Sequence, residues 1–316
     1  MKRSFFLIIL SAVFVLMQAC QNKPFNPTEM GNLCISGVNV FFEDENKRII
    51  SLDLEKDAFR TLKEKGSICA SKGRVYLISE GNLYSLSDGG LNIIGTAPDS
   101  ELARVFGVIG DWCYYVEWEK VCRWNYKTSE TSILYSFEDV ITCPLAVTSE
   151  GVFCGGKEGV YYIDSAKNDI QKVIEGYATG VLEADDTLYF SIATPENDSL
   201  QNGEDYTEVF GGAKYYRYRQ GELSLVAVTE HAASSRTGFM VKEGHFFAID
   251  ENSERTKSYL VCIEEKGSEL RVELSEHVDN EGGIVFDDNW IVFGSKTGME
   301  LWKYNIAEKK LEKIKR

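Results

Sequence analysis

The side chains that could do chemistry in this chain are few and scattered. Three histidines, His231, His245 and His277, stand far apart, and a catalytic triad needs one within hydrogen-bond reach of its nucleophile, which no spacing here enforces. A His-Glu-x-x-His metal helix, a phosphate-cradling Gly-rich loop and a Gly-x-Ser-x-Gly elbow are all missing. Asp250, Asn252 and Glu254 echo the first three oxygen ligands of a calcium loop, but Arg255 stands where that loop needs Gly and Val261 where it needs a bidentate acid. The segment therefore reads as a solvated hairpin tip. Eight cysteines occur; no two show the Cys-x-x-Cys spacing of zinc or redox sites, and most lie within apolar alternation, as core residues do. A bridge inside a hairpin, Cys113 with Cys122 or Cys143 with Cys154, is chemically possible in an oxidising compartment. The sequence implies no catalytic residue, no metal and no cofactor.

Binding is better represented. Trp118 stands between Glu117 and Glu119, and an aromatic ring within an acidic rim can dock a cationic side chain or stack on a sugar. The segment from Pro195 to Gly212 is rich in Asn, Asp, Glu and Gly and carries Tyr206 and Phe210, the composition of a long functional loop. Acidic tips Glu43-Asp44-Glu45 and Asp250-Glu251 complete the candidate set.

What could hold these residues together is an internal repeat. Short aromatic or β-branched runs at Val38 to Glu43, Arg74 to Ser79, Trp112 to Glu117, Gly151 to Gly156, Thr187 to Ile192, His245 to Asp250 and Asn289 to Gly294 each begin beside a turn signal such as Lys72-Gly73 or Gly110-Asp111. A second strand follows each one, marked by Leu52, Leu86, Trp124, Ile163, Tyr218, Ile263 and Tyr304, at successive intervals of 34, 38, 39, 55, 45 and 41 residues. Further extended pieces precede the first strand and follow the second, so each unit supplies four antiparallel strands. Sheets repeated at this interval bury both faces by packing on their neighbours, and a ring leaves only short edges. The expectation is an all-β propeller of seven four-stranded blades, with six or eight as the alternatives. Closure without an exchanged strand is expected, although residues 21 to 30 could contribute one. Four tryptophans, Trp112, Trp124, Trp290 and Trp302, fall inside strand patterns and are assigned to packing between blades. The long insertion joins the second and third strands of the fifth unit, on the face that also holds the inter-blade connections Ala97 to Arg104 and Thr229 to Arg236.

The runs Gly81-Asn82-Leu83-Tyr84-Ser85-Leu86-Ser87, Gly159-Val160-Tyr161-Tyr162-Ile163-Asp164 and Leu301-Trp302-Lys303-Tyr304-Asn305 resemble the blades of TolB-like and related tyrosine-rich propellers of secreted bacterial proteins. That resemblance spans nearly the whole chain after residue 30 and implies the fold rather than an activity. The Asp boxes of sialidase propellers and the Ala-x-Asp-x-x-Thr-Gly repeats of quinoprotein propellers are missing.

The N-terminus reads Met-Lys-Arg, then an apolar run from Phe5 to Met17, then Gln18-Ala19-Cys20, the order of a secretory signal. Its end resembles a lipobox, with Met17 and Gln18 departing from the usual Leu and small residue. Residues 1–19 are read as a lipoprotein signal peptide, Cys20 as the lipidated residue, 20–30 as a tether and 31–316 as one propeller domain. Two acyl chains suffice for stable anchoring, so the chain is expected in a bacterial cell envelope. The formal net charge of -15 excludes a nucleic-acid binder and a peripheral face for anionic lipid. Three functions are expected: a non-catalytic binder of a protein or glycan through the loop-rich face; a carbohydrate-active hydrolase or lyase with carboxylates in the central funnel; or an envelope-assembly scaffold.

Overall fold

In each repeat the early strands are apolar at nearly every position, whereas the last strand alternates with polar residues. The computed structural model turns that contrast into a radial gradient. It describes residues 28–314 apart from 31–32, 37, 45, 72–73, 88–89, 100–102, 104, 139–144, 150, 157, 166, 168, 185–186, 196–209, 220, 230–238, 243–244, 253–255, 264–268, 276–282, 287–289, 295–300 and 306. Blade one comprises β2 (Leu33–Ser36), β3 (Asn39–Glu43), β4 (Ile49–Asp53) and β5 (Ala58–Lys63), preceded by a short β1 (Thr28–Met30). Blade two holds β6 (Ser67–Ser71), β7 (Arg74–Ser79), β8 (Asn82–Ser87) and β9 (Gly90–Thr96); blade three holds β10 (Val105–Ile109), β11 (Trp112–Glu117), β12 (Lys120–Asn125) and β13 (Thr131–Ser136). Blade four is built from β14 (Ala146–Val147), β15 (Val152–Gly156), β16 (Gly159–Asp164) and β17 (Asp169–Glu175), and blade five from β18 (Ala178–Ala184), β19 (Thr187–Pro195), β20 (Phe210–Arg219) and β21 (Glu222–Thr229). β22 (Phe239–Lys242), β23 (His245–Glu251), β24 (Ser258–Ile263) and β25 (Glu269–Glu273) form blade six; β26 (Gly283–Phe286), β27 (Trp290–Gly294), β28 (Leu301–Asn305) and β29 (Lys310–Ile314) form blade seven. Strands pair antiparallel in sequence order within every sheet, and the sheets close into a seven-bladed β-propeller with no helix among the described residues.

Period-two alternation feeds both faces of every blade. In β3, Val40 and Phe42 join the core shared with blade seven, while Phe41 joins the core shared with blade two. In β11, Cys113 and Tyr115 face blade two and Tyr114 faces blade four. Seven apolar clusters result, one at each seam of the ring. The four tryptophans assigned to packing all lie at such seams, with Trp302 fully buried between blades six and seven. In five blades the register between the third and fourth strands slips by one residue near the outer start of the third strand, a bulge that increases the local twist of the outer edge.

The seam between blades seven and one closes without a shared outer strand, since each of these blades is a contiguous run of chain. Leu33, Ile35, Phe42 and Leu52 pack there against Val285, Val292 and Leu301. One buried cation spans it: Lys303 of β28 places its ammonium 2.6 Å from Asp57 Oδ1 and 3.4 Å from the Leu54 carbonyl, and 4.9 Å from the centre of the Trp290 ring. The N-terminal strand does contribute, but from within. β1 pairs antiparallel with the inner edge of β2, Thr28 opposite Ile35 and Met30 opposite Leu33, and lies beside the inner strands β26 and β6. That edge lines the axis of a propeller, so β1 sits in the central channel.

Asp57 is replaceable at fixed backbone by Asn, which tolerates its left-handed φ of 48°. Asp57→Asn is expected to cost about 1 kcal/mol in urea unfolding, because Asp57 is largely exposed and the buried ammonium keeps Glu312, 3.7 Å away, as a weaker counter-charge, whereas Lys303→Met costs less. The reverse order would remove the ion pair from the closure of the ring. Six cysteines, Cys34, Cys69, Cys113, Cys122, Cys154 and Cys262, are buried free thiols, so neither Cys113 nor Cys122 is bridged; Cys143 lies outside the described residues. Burial pushes the Cys113 thiol up, and that of Cys154 up to about 12. The folded state therefore keeps protons that the unfolded state releases above pH 9, and stability falls as pH rises past that point. In a Cys143→Ser chain lacking residues 1–20, a thiol-exchange reagent at pH 8 is expected to label nothing until denaturant is added.

Candidate functional site

Turns between the second and third strands of each blade share one face of the ring with the connections between blades; turns between first and second, and third and fourth, strands share the opposite face. The candidate residues divide accordingly. Trp118 and Glu119 form the two-residue turn between β11 and β12, closed by the Glu117–Lys120 pair. Trp118 is 72% exposed and adopts a φ of 55°. Left-handed backbone at the first turn residue is a conformation that Gly, Asn or Asp adopts cheaply and a bulky aromatic does not. The Phe137 amide donates to the Glu119 carbonyl at 2.8 Å, which pins this turn to the segment after β13.

That contact leads to an aromatic ledge that the sequence reading missed. Tyr135 and Phe137 meet edge to face at 4.9 Å, and Phe137 meets Tyr161 of blade four in the same manner at 4.9 Å. The Tyr161 hydroxyl donates to Glu158 Oε2 at 3.4 Å, and the Lys172 ammonium lies 5.5 Å from the centre of its ring. Burial raises the Tyr161 hydroxyl above the ordinary tyrosine range, so it stays a donor at neutral pH. Tyr135 faces this seam because the bulge between β12 and β13 sets it opposite Val121, a residue of the core shared with blade four. The signal was present: an aromatic pair two residues apart at the end of a fourth strand, and a tyrosine at the head of the next unit's third strand.

The other predicted residues are distributed differently. Asp250 lies inside β23 rather than at its tip, 3% exposed, with Arg271 Nη1 2.7 Å from its carboxylate. Asp44 is likewise buried, holding Arg48 at 2.7 Å and accepting from the Asn46 and Arg48 amides. The Asp44 carboxylate organises the loop that follows its strand, whereas that of Asp250 ties β23 to Arg271 of β25. Glu251 ends β23, and only its backbone is described. The Asn252 side chain closes the hairpin on itself, accepting from the Thr256 and Lys257 amides at 2.8 and 2.9 Å. Phe210 opens β20 opposite Pro195, so the ends of the long insertion continue the strands; residues 196–209 lie outside the described residues. Tyr206 and Cys20 lie outside the described residues. In the channel, β18 contributes Glu183, the one carboxylate carried by the seven inner strands as described, and β1 runs beside them.

No protein-family model matches the chain, and no curated protein matches it. Solved structures of similar shape are numerous. A chain of the mitotic checkpoint complex aligns with 92% of this chain and 86% of its own length at 11% identity and a TM-score of 0.54. A Bacteroides fragilis protein provisionally assigned as a 6-phosphogluconolactonase aligns with 92% and 94% at 11% identity and a TM-score of 0.53. The computationally designed Ika8 protein covers 89% and 96% at 13% identity and a TM-score of 0.53. At such identities the likeness establishes the propeller fold alone.

Trp118 should cost the fold stability where it stands. Trp118→Gly is expected to raise unfolding stability by about 1 kcal/mol in urea, through relief of the left-handed strain, whereas Trp118→Ala, which keeps the strain, gains none. Equal midpoints for the parent and the Gly variant would show that the turn is unstrained.

Proposed function

We propose that this chain is a lipid-anchored binding scaffold of the bacterial cell envelope, held at Cys20 and engaging a protein or glycan through the face that carries Trp118. The observation that carries the reading is Trp118 itself, a large ring kept exposed in a costly backbone conformation at the head of a surface aromatic ledge. Strain retained at a surface position points to use rather than to packing.

The direction of β1 supports the anchored geometry. Inner strand β2 leads away from the Trp118 face, and β1 runs against it. Thr28, the first described residue, therefore lies toward the opposite face. Eight residues from Cys20 to Pro27 reach at most about 28 Å when extended, so that face would be held near the bilayer and the Trp118 face would project from it. The apolar N-terminal run and the tyrosine-rich blade grammar agree with an exported bacterial protein.

The test is a photo-crosslinking residue placed at position 118, compared with one at Lys127 on the opposite face, in bacteria expressing the full chain. Crosslinks to a discrete partner are expected at 118 and not at 127, and Cys20→Ser is expected to move the protein from the membrane fraction to the soluble one. Equal crosslinking at both positions would reject the face, and membrane retention of the Cys20→Ser chain would reject the anchor.

A further inference from the structure

Several aromatic rings at the blade seams are covered by cations. Lys63 lies 4.6 Å from the centre of the Tyr84 ring, Arg123 4.5 Å from Trp112, Lys172 5.5 Å from Tyr161, Arg271 4.6 Å from Tyr259 and Lys313 5.1 Å from Trp302. Trp290 takes Lys303, and the Trp124 indole donates to Thr96 Oγ1 at 3.2 Å. Four of the five tryptophans are thus occupied within the chain. Trp118, the most exposed, has no ring, cation or hydrogen-bond partner among the described residues.

Its surroundings carry the opposite charge. Glu117 and Glu119 flank it, Glu138 and then Asp139 follow Phe137 in sequence, and Glu158 sits on the ledge; Lys120, Lys157 and Lys172 are the cations of the same segments, and Lys172 is already engaged by Tyr161 and Glu158. Five carboxylates against three ammonium groups in these segments, on a chain of net charge -15, attract a cation toward the ring. A neutral sugar can donate hydroxyls to those carboxylates but feels no net attraction from their charge. A guanidinium gains both from the π-face and from the carboxylates around it, since it stacks and donates forked hydrogen bonds to a carboxylate.

We infer that the Trp118 ledge between blades three and four receives an arginine or lysine side chain from a basic segment of a partner protein. This rests on the proposed role of the Trp118 face and gives its partner a chemistry. The ring supplies the stacking surface, Glu117 and Glu119 supply the counter-charge, and the edge-to-face run of Phe137, Tyr135 and Tyr161 supplies a track along which the rest of the segment can lie.

The probe is an acetylated Arg-Gly-Arg-Gly-Arg peptide, titrated by fluorescence polarisation into the chain lacking residues 1–20. The controls are the same peptide with citrulline for arginine and a neutral cello-oligosaccharide. Trp118→Ala is expected to weaken the arginine peptide about fivefold to thirtyfold, and Trp118→Phe to restore most of the loss. Glu117→Gln with Glu119→Gln is expected to weaken it several-fold and to flatten its salt dependence. Leu225→Ser, exposed on blade five, should leave it unchanged. Circular dichroism of each variant excludes unfolding. Equal binding of the citrulline peptide, no binding of the arginine peptide, or an unaltered Trp118→Ala variant overturns the cationic partner. Oligosaccharide binding that is lost in Trp118→Ala overturns it too while leaving the face in use; when neither ligand responds to Trp118, the proposed face fails with it.

Discussion

A sheet that is apolar on both faces has no stable existence alone. Every blade here sends alternate side chains to two neighbours, so each of the seven clusters belongs to a pair of blades and none to a single one. Burial on one side is useful only if the other side is also covered, and that requirement propagates around the circle until the ends meet. The ring is therefore a constraint on the whole chain at once: an open arc would leave two apolar sheet faces in water. It also explains why the outer strands can afford polar sequences. β5, β9, β13 and β17 alternate with exposed residues because they lie beyond the covered region, whereas β2, β3 and β15 are buried almost throughout.

Period and interval made this architecture legible in the sequence. The first strands read from turn signals lie within a residue or two of β3, β7, β11, β15, β23 and β27, because aromatic and β-branched runs beside Gly or Asp carry both the strand and its start. Less was legible where length or partner mattered more than pattern. β14 is only two residues long, too short to display any alternation, and it exists because Ala146 and Val147 fill seams on its two sides. β19 and β20 outrun the pattern because strand pairing continues to Pro195 and Phe210 through residues that read as loop. Asp250 read as an exposed tip because one sequence cannot reveal that Arg271, on the next strand but one, comes back to neutralise it. The ledge was hidden for the same reason: Tyr135 and Tyr161 are neighbours only once blades three and four are side by side.

Trp118 is the point where local preference and observed conformation conflict. A two-residue turn with a left-handed first residue is cheapest with Gly, Asn or Asp there; blade two places Glu80 at that position, followed by Gly81, both at positive φ, and blade three places the bulkier Trp118. Blade three keeps its hairpin register with the wrong residue in place, because the ladder from Trp112–Asn125 to Glu117–Lys120 and the Phe137–Glu119 bond fix the turn from outside. Such over-determination is what allows strain to persist at a surface site. The scaffold supplies rigidity, and the turn carries a side chain that contributes nothing to the core.

The remaining structural question is how a ring with no exchanged strand resists opening at its one unlinked seam. An outer strand shared between first and last blades would place covalent chain across that seam. Here the same seam is crossed twice by other means, at different radii. Lys303 bridges it among the outer strands, reaching back to Leu54 and Asp57. β1 reinforces it at the axis, hydrogen-bonded to β2 of blade one while lying beside β26 of blade seven and β6 of blade two. A strand in that position also satisfies the open backbone edge of β2, which would otherwise line the channel unpaired. The segment that leads toward Cys20 is thus part of the closure itself, so a pull on the N-terminus would be borne by three blades instead of by one terminal strand.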